Sequence, residues 1–94
     1  MTRKDIILLL EAADDLQKMN QTLVKLTGLG YASGDFIKLD NIYEVIRNNS
    51  HKTYLKIPEA ESREVSYKII TNRNLTVEKR ADLLLNGKYK KKHQ

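Results

Sequence analysis

The chain has 94 residues, enough for one folded domain and too few for two. It contains no cysteine, which excludes disulfides, thiolate metal sites and thiol nucleophiles, while 40% hydrophobic against 31% charged residues excludes wholesale disorder. The net charge of +5 is concentrated at one end: without Lys88, Lys90, Lys91 and Lys92 the chain carries 13 positive and 12 negative residues.

At the N-terminus, residues 6–10 form an apolar run behind Arg3 and Lys4, an arrangement that resembles the start of a signal peptide. Glu11, Asp14 and Asp15 then interrupt it, whereas a secretory segment needs about 7–15 apolar residues and a spanning helix about 20. A cytoplasmic protein is expected. Lysine, asparagine, isoleucine and tyrosine supply 32 residues, and their AT-rich codons point to a low-GC bacterium or one of its phages.

Thr2 is placed to cap a helix that begins at Arg3, with Asp5 in the first turn, where the macrodipole favours an anion. A helical pattern then runs to about Thr27. Leu9, Leu16 and Leu23 recur at one heptad position, and Ala12, Met19 and Leu26 widen the stripe on one side. So broad a stripe suits a helix covered by two or more neighbours, with Leu16 and Leu23 in the core. Asn20 within that stripe resembles the polar residues that fix register in helical assemblies. Glu11, Asp14 and Asp15 present three carboxylates on one helix, but with Lys18 nearby they read as a solvated face and not as a cation site.

Ile7 and Leu8 depart from the pattern. They fall on the side of the helix that later turns give to Asp14, Asp15, Gln21 and Thr22, so the helix begins apolar all round. Either neighbouring helices cover them or they form a patch for a second copy or a protein partner. A homodimer or partner site at these two residues is the expectation.

Gly28-Leu29-Gly30 ends the helix: Gly28 supplies a left-handed C′ residue and Leu29 the accompanying apolar contact. The stretch 31–34 reads as a loop. A second helix begins after Ser33 or Asp35, or from a later cap at Asp40-Asn41. Phe36, Leu39, Ile42, Tyr43 and Ile46 give its apolar face, and Asn48-Asn49-Ser50 breaks it.

Two readings fit residues 51–71. Pro58 with Glu59, Ala60, Glu61 and Glu64 forms a helix start: proline at the first position, acids in the first turns. The alternation of Thr53, Leu55 and Ile57, and of Val65, Tyr67 and Ile69, fits a hairpin instead. The link at 58–62 holds no Gly, Asn or Asp to make a tight turn, which favours the helix. Thr76 then caps a last helix over 77–86, with Val77, Ala81, Leu84 and Leu85 as its buried face and Asn86-Gly87 as its stop.

The expected architecture is therefore all-α: a bundle of three or four helices around a long N-terminal one (residues 1–87), followed by a basic disordered tail (88–94). His51 and His93 have no partners at ligand spacing and read as solvent-exposed residues. There is no GxSxG, GxGxxG or P-loop pattern, so neither an enzyme nor a cofactor site is expected. The best functional reading is a non-enzymatic interaction or regulatory module that acts through a helical face on a protein partner or on itself. The alternative is a nucleic-acid-associated accessory protein. Lys88, Lys90, Lys91 and Lys92 would attract phosphates weakly and without sequence choice, and Tyr89 would stack on a base.

Overall fold

The computed structural model describes residues 1–28 and 33–87, and these are helical without any strand. The elements are α1 (Arg3–Thr27), α2 (Ser33–Asn48), a 3-10 turn (Lys52–Tyr54), α3 (Glu59–Ile70) and α4 (Val77–Asn86). Together they form a four-helix bundle. The hairpin reading of residues 51–71 is displaced by α3, and the loop expected over 31–34 is shortened because Ser33 and Gly34 already belong to α2.

Local chemistry fixes the helix ends. The Thr2 hydroxyl accepts from the Asp5 N–H at 3.2 Å, and the Asp5 carboxylate accepts from the Thr2 N–H at 2.9 Å, which closes a capping box. The Thr2 N–H, and after it the Thr2 hydroxyl, hold the Asp5 carboxyl below its ordinary range. Gly28 sits at φ 73° and donates to the Val24 carbonyl, the left-handed stop expected from the sequence; Leu29 lies outside the described residues. Pro58 is the N-cap of α3, one residue before the position expected for it. Thr76 caps α4 by accepting from the Lys79 N–H at 3.1 Å.

The far end of α4 is closed by the 3-10 turn. The His51 N–H donates to the Leu84 carbonyl at 2.9 Å and the Tyr54 hydroxyl to the Leu83 carbonyl at 3.0 Å. The first satisfies a carbonyl that the helix terminus leaves without an intrahelical donor, and the second adds to the Gly87 N–H that already bonds the Leu83 carbonyl. Gly87, at φ 67°, tolerates no side chain: a Cβ there would lie 2.5 Å from His51 Nδ1 and from Thr53 Oγ1. His51 is thus a half-buried cap and not the solvated histidine that the sequence implies. Tyr54, fully buried, is a core residue that periodicity alone did not pick out.

Polar pairs set the directions of the helices. Arg3 bonds Asp82 at 2.7 Å and Asp14 bonds Arg80, so α4 runs antiparallel to α1. Arg47 meets Ser62 while Tyr67 meets Glu44, which places α3 antiparallel to α2. The core of the bundle is Ile6, Leu10, Ile46, Ile70, Ala81 and Leu84, with Leu9, Ile42, Tyr43 and Tyr67 packed around it. Lengths are unequal: α1 has 25 residues, against 12 in α3 and 10 in α4, or about 37 Å against roughly 18 and 15 Å. The molecule is accordingly 43 Å long and only 26 × 23 Å across. The last turns of α1, residues 21–28, are exposed throughout and reach past the shorter pair.

Candidate functional site

Two polar clusters tie the bundle together. Arg80, almost fully buried, grips Asp14 through both guanidinium nitrogens at 3.0 and 2.7 Å. It also donates to the Ile70 carbonyl at 2.8 Å and the Leu75 carbonyl at 3.2 Å. Four bonds offset the desolvation of the cation, and the Ile70 contact sets it at the C-terminus of α3, where the helix dipole favours positive charge. Arg73 reaches Asp14 at 3.5 Å and also bonds Gln17. Asp14 is therefore an inward-facing anchor and not part of a solvated acidic face. The sequence offered no sign of this, because its partner stands 66 residues away.

The second cluster joins α2 to α3. Glu44 accepts from Arg47 at 2.9 and 3.1 Å, from Arg63 at 2.9 Å, and from the Tyr67 hydroxyl. The bonds from Arg47 and Arg63 hold its carboxyl far below the ordinary range. Burial, with Glu44 as acceptor, pushes the Tyr67 hydroxyl above its ordinary value. The Tyr67 ring also leans on Tyr43, with centroids 5.2 Å apart. Every group here is occupied by another member of the cluster, so the arrangement does the work of a clamp. Among the described residues no group of three histidines or carboxylates is placed to hold a metal ion.

The chemistry left over is apolar and lies on α1. Ile7 and Leu8, adjacent in sequence, separate in space: Ile7 is half-buried against the core, whereas Leu8 is 54% exposed. Leu8 heads an exposed stripe that continues through Ala12, Met19 (58% exposed), Leu23 (43%) and Leu26 (75%). Leu8 and Leu26 are about five full turns apart, hence on one face of the helix, the face opposite α2 and α4 at the core. Leu16 is half-buried, and Leu23 is not the core residue that the heptad pattern implies. Leu23 shares the outward face with Leu8, Met19 and Leu26, and every α1 residue from 21 to 28 is exposed.

Phe36 and Ile37, both more than half exposed, lie at the start of α2. Asn20 immediately precedes the exposed end of α1; its Oδ1 is shut off from solvent and accepts no hydrogen bond from the described residues. No helix among the described residues is long and apolar enough to cross a membrane. Lys88, Tyr89, Lys90, Lys91 and Lys92 lie outside the described residues. Comparison with known proteins finds no matching family model, no matching curated protein and no matching solved structure.

Proposed function

We propose that this protein is a non-enzymatic interaction module whose binding surface is the outer face of α1, from Leu8 to Leu26. One observation carries the reading: four large apolar side chains, Leu8, Met19, Leu23 and Leu26, share one side of a single helix and remain exposed. Scattered exposed leucines need no explanation, but large apolar side chains lined up along one helix face of a small chain are the usual mark of a docking site. Each such side chain gains roughly 1.5–3 kcal/mol when fully removed from water, a driving force the bundle leaves unused. The polar clusters support the same reading, since their charged groups are spent on holding helices together.

A photo-crosslinking residue placed at Met19 in the intact chain, in cells, tests the proposal. Covalent adducts are expected at Met19 and not at Lys79 on exposed α4. Absence of adducts at Met19, or equal labelling at both positions, would overturn it.

A further inference from the structure

The outer face of α1 carries the pattern of a helix seam and a charge order that suits its own reverse. Positions 8, 12, 15, 19, 23 and 26 are spaced by four, three, four, four and three residues, the rhythm by which one helix packs along another. Five of the six are apolar and the sixth is Asp15. Ala12 is small enough to admit a close approach. On the flank away from α2, Glu11 and Asp15 precede Lys18 and Lys25, so the strip is acidic toward one end and basic toward the other.

We propose that this face pairs with the same face of a second copy, the two α1 helices lying antiparallel about a two-fold axis. The proposal rests on the reading of α1 as the interaction surface and names its occupant. With Leu8 of one copy against Leu26 of the other, Asp15 falls against Met19 and beside Lys18 of its mate, and Glu11 falls near Lys25. Every flanking acid then has a base within reach. A parallel pairing would instead set Asp15 against Asp15 on the axis, a like-charge contact that disfavours that arrangement. A two-fold interface is self-complementary, so each residue contributes twice.

Size is consistent with a weak, specific contact. The stripe runs about 27 Å along a helix roughly 10–12 Å in diameter, and pairing two such strips removes on the order of 1,000 Å² from water, at the lower bound for a specific interface. The bundle cores sit on the inner sides of both helices and leave the seam open to approach. A seam charge at Asp15 also limits affinity, so replacing it has a definite sign.

Sedimentation of the full chain up to about 0.5 mM tests the proposal, together with cysteine pairing in a chain that has no native cysteine. The wild type should reach twice the 10.9 kDa chain mass. Met19→Glu, which sets a second carboxylate against Asp15, with Leu26→Glu should weaken association at least about 30-fold while helicity by circular dichroism stays unchanged, because both positions are exposed. Asp15→Leu should tighten it about tenfold or more. Under mild oxidation, a Leu8→Cys chain mixed with a Leu26→Cys chain should give mixed disulfide dimers in preference to Leu8→Cys homodimers. Preferential homodimers would overturn the antiparallel arrangement. A wild type that stays monomeric throughout would overturn the second copy as occupant. In that case adducts of other mass at Met19 would leave the interaction reading standing, and their absence would remove both.

Discussion

Ile6 and Val24 occupy the same face of α1, about five turns apart, yet one is completely buried and the other is 46% exposed. The two ends of this helix share one apolar rhythm and differ only in what surrounds them. At the N-terminal end α2 and α4 flank α1, and Leu10 and Ala13 join Ile6 in a sealed interior. The α3–α4 connection reaches along α1 to Gln17 through Arg73, and every residue from 21 to 28 is exposed. The same comparison holds on α2, where Ile46 is buried and Phe36, at the far end of the same stripe, is 60% exposed. Periodicity specifies a face. Cover is specified by the lengths of the other helices.

The largest effect is expected at the boundary between the two ends. Asp14→Ala strands the buried Arg80 guanidinium without its counter-charge and should cost roughly 3–5 kcal/mol in denaturant unfolding. Combining it with Arg80→Met should recover much of that loss. A double variant as unstable as the sum of the singles would show that the two residues do not act as a pair.

Next, Leu10→Ala in the sealed end should cost about 2–5 kcal/mol, whereas Leu23→Ala in the exposed end should cost less than about 1 kcal/mol. Equal losses at the two sites would mean that the exposed end is covered in solution, and the sedimentation state of each variant would then show whether a second copy covers it.

The Glu44 clamp binds α2 to α3 and gives a pH signature. Its carboxyl lies below its unfolded value, so its contribution is complete above about pH 4.3 and is lost as the pH falls through and below that value. Glu44→Gln should lower the melting midpoint at pH 7 and flatten its decline between about pH 4.5 and 2. An equally steep decline in the variant would assign the acid sensitivity to other carboxylates.

The smallest effect is a gain. Asn20→Leu removes a buried oxygen that has no donor among the described residues and should raise stability by about 1 kcal/mol, or roughly 4–8 °C in a domain of this size. A loss instead would mean that the Asn20 amide is satisfied in solution by a group from outside the described residues.

Much of the fold was legible in local chemistry. Thr2, Gly28, Thr76 and Gly87 mark helix ends through bonds and backbone angles that depend on a few neighbouring residues, and α1 and α4 have the bounds the sequence implies. The candidate surface was legible only in part. Leu8 stood out as an apolar residue on a polar side, but its neighbour Ile7 belongs to the core packing, and Met19, Leu23 and Leu26 looked like buried positions.

By itself the sequence determined the all-α class, the bounds of α1 and α4 and the caps at Thr2, Gly28, Thr76 and Gly87, because each of these follows from interactions within a turn or two of the chain. Only the tertiary structure decided that Asp14 faces inward to Arg80 and that Tyr54 fills the core. It alone also decided that the end of α1 extends past its neighbours. Those outcomes depend on which distant residues arrive and how far the shorter helices reach, and no local spacing encodes either quantity.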